Sequence, residues 1–129
     1  MRKEIEMYCC HRQYLGVGFI KSRKSESKIM DMAEEMIAAA KRKNLRLLEV
    51  IVDESSGTDV DREKIDQLLA WMEKDDVAAI VVKSIFDITK DTEDLRQFMR
   101  RAEKQNVSIY EMEHGMNPVY VPWDGGYGC

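Results

Sequence analysis

The chain has 129 residues, of which 44% are hydrophobic and 34% charged, and a formal charge of −4 at neutral pH. That length suits one domain able to bury a core without disulfides or a structural metal, and the low proline content excludes a disordered, low-complexity protein. The negative balance gives no overall attraction to nucleic acid, so any DNA contact must come from a local basic patch.

No apolar run approaches the roughly 18 residues that a membrane span requires. The first residues, MRKEIEMYCCHRQY, lack the apolar centre of a signal peptide, so a cytoplasmic protein is expected. Cys9, Cys10 and Cys129 do not make a disulfide framework, and adjacent cysteines followed by His11 lack metal-ligand spacing. No metal or other cofactor is expected.

Taken in order, LGVGFI at residues 15–20 has strand length, and residues 25–43 carry helical spacing through Ile29, Met32, Met36, Ile37 and Ala40. The helix closes on Lys41, Arg42 and Lys43, where cations suit its dipole. Residues 45–52 read as a second strand, broken by the polar cluster DESSG. Asp61 has the residue type to cap a helix whose inward stripe is Ile65, Leu68, Leu69 and Met72. VAAIVV at residues 77–82 is apolar throughout, as in a strand covered on both faces. A third helix from Asp91 buries Leu95, Phe98, Met99 and Ala102, and residues 107–112 supply a fourth strand.

This alternation predicts an α/β fold of three layers, α/β/α, around a mainly parallel sheet of four to five strands with flavodoxin-like topology. The division expected is an N-terminal extension at 1–14, a domain at 15–113 and an irregular tail at 114–129. In such a sheet the site lies beyond the carboxyl ends of the strands, so the loops at 21–27, 53–62 and 84–91 are the ones to converge. Trp71 is a candidate subunit contact. Lys21, Arg23, Lys24 and Lys28 read as a solvated basic loop, with phosphate binding at the helix start as the alternative. The nine methionines read as core filler.

Ser56 and Gly57, four further residues and then Arg62 resemble the second conserved block of serine site-specific recombinases, the resolvase and invertase family. The resemblance covers residues 16–113. It implies a domain in which a serine hydroxyl attacks a DNA phosphodiester while arginines clamp the phosphate. Planar guanidinium groups give bidentate donors that an ammonium cannot reproduce. Set against the family pattern Gly-Tyr-Ile-Arg-Val-Ser, the run GFIKSR places Lys21 at the arginine and Arg23 at the nucleophile. Met32 falls where the family has glutamine. At the third loop, IFDITKD puts Phe86 at the family's aspartate, Asp87 at its first arginine and Lys90 at its second. Arg62 alone is retained among these positions.

An aromatic ring and an anion at Phe86 and Asp87 are expected to oppose a phosphate both sterically and electrostatically. Loss of a nucleophile costs on the order of a millionfold in rate, roughly 8 kcal/mol. The resemblance therefore implies a degenerate, non-catalytic domain that modulates DNA recombination through itself, a full-length recombinase or DNA, with self-association expected and no membrane. The alternative is an active enzyme using Ser22 or Ser25 with Lys21, Arg62 and Lys90 as a reduced clamp. Ser22 would need a bulge, because adjacent strand positions face opposite ways. Two prolines and GGYG after residue 114 leave no expected room for the family's long helix and DNA-binding region. A phospho-acceptor domain using Asp53 or Asp87 is disfavoured by a basic first loop, where such domains hold magnesium with acids.

Overall fold

A computed structural model describes residues 13–55 and 61–119. Cys9, Cys10, His11, Ser56, Gly57, Pro122, Trp123 and Cys129 lie outside the described residues. The element order is β1 (Tyr14–Lys21), α1 (Glu26–Lys41), β2 (Leu45–Asp53), α2 (Arg62–Met72), β3 (Val77–Val82), α3 (Thr92–Lys104), β4 (Ser108–Glu111) and β5 (Asn117–Val119). Single 3-10 turns at Ile85–Asp87 and Met112–His114 follow β3 and β4.

The strands lie in the order β2-β1-β3-β4-β5. The first four are mutually parallel, and β5 runs antiparallel to β4. This is the expected mainly parallel sheet between helical layers. Alternate residues of each strand feed two cores. Val17, Phe19, Ile51 and Ile80 join α2 and α3 on one face, while Ile20, Ala79 and Val81 join α1 on the other. β3 sits between two parallel neighbours and buries nearly every side chain, which is why its sequence shows no alternation.

Each helix starts where its sequence supplies a cap. Ser25 Oγ accepts from Lys28 N at 3.3 Å, Asp61 from Glu63 N at 3.1 Å, and Asp91 from both Glu93 N and Asp94 N. Such caps satisfy donors that the first turn leaves without partners. The ends of α1 and α3 come at left-handed asparagines, Asn44 (φ 62°) and Asn106 (φ 61°), so α1 stops at Lys41 rather than 43. Ile37, expected on the inward stripe, is 44% exposed. It is one residue, or about 100° of helix, beyond buried Met36.

The tail differs from expectation. Gly115 (φ 75°) and Met116 (φ 59°) turn the chain back, and Asn117–Val119 pair with β4 as a fifth strand. Pro118 is tolerated because this is a sheet edge, where its missing N–H is not needed by the ladder.

Two glycines set how closely the layers approach. A Cβ on Gly18 would stand 2.6 Å from Met36 Sδ of α1, and one on Gly16 would stand 2.9 Å from the Ala79 carbonyl oxygen of β3. Only a bare backbone lets α1 and β3 come this near β1.

Candidate active site

The carboxyl ends of β1 and β2 meet at Asp53. This last residue of β2 has no solvent exposure. Lys21 ends β1 on the same face as Val17 and Phe19, so its stem enters the layer beneath α2. Lys21 Nζ donates to Ser55 Oγ at 3.0 Å and lies 3.9 Å from Asp53 Oδ2. Ser55 in turn donates twice to Asp53 Oδ1, through its hydroxyl at 2.5 Å and its backbone N–H at 2.8 Å. Asp61 N donates to Asp53 Oδ2 at 3.2 Å, tying the start of α2 to the same carboxylate.

Burial alone would raise the Asp53 carboxyl. The Ser55 hydroxyl and amide, the Asp61 amide and the Lys21 charge outweigh it and hold the group below the ordinary carboxylate value. Asp53 is therefore an anion at neutral pH with both oxygens engaged, which fits a structural brace and not an exposed phospho-acceptor. Lys21 is half-buried rather than a solvated loop residue, because the brace draws its ammonium inward.

The serines of the first loop are engaged locally. Ser22 N continues the β1–β2 ladder by donating to Asp53 O at 3.0 Å, and Ser22 Oγ accepts from Lys24 N at 3.1 Å. Ser25 Oγ caps α1. Arg23, Lys24, Ser27 and Lys28 are exposed.

At the third loop, Asp87 folds back onto its own turn. Ser84 and Asp87 form a reciprocal capping box, with Phe86 N donating to Ser84 Oγ at 3.2 Å and Ser84 N to Asp87 Oδ2 at 3.4 Å. Burial pushes the Asp87 carboxyl above its ordinary value. The Ser84 amide and the charges of Lys90 and Lys83 oppose that rise, and Glu113 adds to it. Phe86 is 43% exposed, so it stands at the surface and does not fill an enclosed pocket as an occluding ring would. The turn is anchored from below by Glu111, a buried carboxylate at the end of β4. Its Oε2 accepts from Ile85 N at 2.8 Å, and its Oε1 pairs with His114 Nδ1 at 2.6 Å.

Arg62 opens α2 and is exposed. It lines a cleft of about 300 Å³ between α2 and α3, with Arg101, Thr89 and Asp94 around an apolar floor that includes Ile65 and Phe98. No hydrogen bond or ion pair joins Arg62 to Lys21, Ser22 or Lys90 among the described residues. Lys90 is exposed. Met32 lies across the sheet on the α1 side, half-buried, in a separate cleft with Met36, Met112 and Lys83.

The structure thus brings Lys21 and Ser22 to the end of β2 and leaves Arg62 and Lys90 turned to solvent. Sequence reasoning missed Asp53 as a brace, along with Ser55 and Glu111. The signal available was a carboxylate closing each of two otherwise apolar strand ends. Trp71 is half-buried, with its Nε1 donating to Glu49 Oε1 at 2.9 Å and Lys74 Nζ lying 5.7 Å from the ring centre. Among the described residues no group of three or more metal-binding side chains occurs, and no helix is long and apolar enough to cross a membrane.

The fold is shared with serine recombinase catalytic domains. The C-terminal catalytic domain of ISC1926 TnpA, an IS607-like serine recombinase, superposes with a TM-score of 0.66 at 16% identity, covering 77% of this chain and 70% of that one. The N-terminal catalytic domain of TP901-1 integrase gives 0.60 at 13% identity, covering 76% and 78%. In sequence, the chain is 30% identical over 81 residues to the Transposon Tn3 resolvase of Escherichia coli, covering 63% of this chain and 43% of that protein. A resolvase/recombinase of Pseudomonas putida matches at 30% over 81 residues, with 44% of its length covered. The chain therefore spans less than half the length of these curated relatives. The family model of the resolvase N-terminal domain matches residues 21–120, and with the shared fold the chain belongs to that family.

Proposed function

We propose that this chain is a resolvase-like domain without phosphoryl-transfer activity, acting in site-specific DNA recombination as an interaction or regulatory module. Its partners on this reading are a second copy, a full-length recombinase, or DNA held through such a partner. The observation that carries the reading is the commitment of Lys21. The ammonium at the position of the family's first clamping arginine points into the Asp53 and Ser55 brace and is not offered to a phosphate.

Other features support it. Arg23 replaces the nucleophile, and an arginine cannot form a phosphoester in its place. Ser22 and Ser25 each accept a local backbone N–H. Asp87 brings an anion where the clamp requires a cation, and Arg62 and Lys90 remain as scattered exposed charges. A pentacoordinate phosphoryl group needs several donors converging on its equatorial oxygens, and among the described residues no hydrogen bond or ion pair draws Arg62 or Lys90 toward Lys21 or Ser22.

Covalent trapping tests the reading. The protein is incubated with DNA carrying candidate crossover sites and denatured, with a full-length recombinase as the positive control. The expected outcome is no protein–DNA adduct. An adduct that disappears in Ser22→Ala or Ser25→Ala would restore the enzyme with a shifted nucleophile.

A further inference from the structure

We propose that the free edge of β2 is a docking site for an extended, basic peptide segment of a partner protein, added to the sheet as a sixth strand. This goes beyond the module reading above and rests on a different face, so either can fail alone.

Among the described residues β2 is the terminal strand of the sheet, with β1 beside it. The bond from Ser22 N to Asp53 O fixes the phase of the β1–β2 ladder, and Lys21 and Ile20 pair with Asp53 and Val52. In a parallel ladder the residues bonded to the neighbour alternate with residues whose N–H and C=O point the other way. Ile51 and Asp53 therefore face β1, and the backbone groups of Val50 and Val52 face outward. Among the described residues nothing hydrogen-bonds to those groups. A row of open donors and acceptors is a template for another strand.

The edge is not uniformly open. The register shifts between Gly16 and Gly18, so that they pair with Leu47 and Val50, which puts an extra residue in β2. A bulge of this kind disrupts the ladder locally, and beyond it the edge is regular from Val50 on. There the strand runs along an open groove of about 400 Å³ beside α2, bordered by Glu49, Val50, Val52, Glu54, Asp61 and Lys64.

Charge selects the occupant. Three carboxylates, Glu49, Glu54 and Asp61, face one ammonium, Lys64. Glu49 is held in place by Trp71, and Asp61 by capping α2. A strand added here projects side chains at intervals of about 7 Å on each face, so alternate lysines or arginines reach these carboxylates. An acidic strand or a nucleic acid backbone would meet like charge. The β5 edge is a poorer template, since it has three residues and one is Pro118.

The test uses the whole chain and a fluorescent peptide of alternating Lys and Val, six residues long and blocked at both ends, titrated by anisotropy. Controls are the Glu-Val hexamer and the Lys-Val hexamer N-methylated on the face that would pair. The expected result is saturable binding of Lys-Val, weakened at least about tenfold by N-methylation, and no binding of Glu-Val. Val52→Pro, which removes an outward N–H without touching the β1 ladder, is expected to abolish binding. Glu54→Lys, an exposed change that leaves the fold intact, is expected to weaken it even if the proline variant does not fold. Equal binding of the N-methylated peptide, equal binding of Glu-Val, or no binding of Lys-Val overturns the proposal. So does a dimer of the unliganded protein in sedimentation that Glu54→Lys dissociates, since the edge then belongs to a second copy.

Discussion

Asp53 gathers three hydrogen bonds and one nearby cation on a single buried carboxylate. Asparagine has the same shape but offers one acceptor oxygen and one amide donor, so at least one of the N–H groups of Ser55 and Asp61 would face another donor. Hydrogen bonds to charged groups contribute roughly 1.5–3 kcal/mol, and Asp53→Asn is expected to lose about 3 kcal/mol of stability at pH 7. The sign with pH follows from the lowered carboxyl. Its folded-state value lies below the unfolded 3.8, so the ionic contribution is complete above 3.8 and is lost as pH falls through the lower folded value. Urea unfolding at pH 7 and in acid should therefore show the wild type converging on the variant as the pH drops. A constant difference across that range would mean the charge is not what holds the loop. Lys21 could be placed at the end of a strand by sequence, but its inward course depends on parity. It shares a face with Val17 and Phe19, and only the position of Asp53 at the end of the neighbouring strand tells where an ammonium on that face can go. The identities of Arg23, Phe86 and Asp87 are read directly from the sequence. The backward fold of Asp87 is not, because it depends on the capping box with Ser84, which turns the carboxylate onto its own backbone.

Strands and helices were readable because period and caps agreed: apolar runs of strand length alternate with helices that open on Ser25, Asp61 and Asp91. β5 was not, because three residues containing a proline carry no pattern. Their pairing depends on the reversal at Gly115 and Met116, which delivers them to β4. Close approach of elements was equally hidden, since Gly16 and Gly18 look alike within LGVGFI. The structure separates them. A methyl on Gly16 meets the backbone oxygen of Ala79 at 2.9 Å, and β3 must move to admit it. A methyl on Gly18 meets Met36 Sδ at 2.6 Å, and a thioether can rotate away although its surroundings are tightly filled. Overpacking costs typically 1–3 kcal/mol. Gly16→Ala is expected at or above about 3 kcal/mol, and Gly18→Ala nearer 1 kcal/mol, measured by chemical denaturation. The reverse order would show that the α1 layer is stiffer than the sheet.

At the scale of the whole molecule, the question is whether this domain alone attracts DNA. Exposed cations at or near the carboxyl edge of the sheet are Arg23, Lys24, Lys28, Arg62, Lys83 and Lys90. Exposed carboxylates at the same edge are Glu26, Glu54, Asp91 and Glu113, joined by the partly buried Asp87, and the chain as a whole carries −4. Lys21, which would extend the basic loop, is neutralised by Asp53. Binding to duplex DNA falls with salt in proportion to the phosphates neutralised, with a logarithmic slope of about −0.9 for each. Six unopposed cations would give a slope steeper than about −5. With carboxylates interleaved, the expected slope is shallower than about −3, and the affinity no better than the non-specific range of about 10⁻⁴ to 10⁻⁶ M. Anisotropy titrations of a labelled duplex across about 50 to 200 mM salt measure both quantities. Arg23→Ala together with Lys24→Ala and Lys28→Ala should remove most of the residual attraction, because these three exposed cations stand within six residues of one another in the loop and first turn at that edge. Submicromolar binding with a steep slope would mean that the edge presents its cations as one surface despite the intervening acids, and that DNA reaches this domain without a partner to hold it.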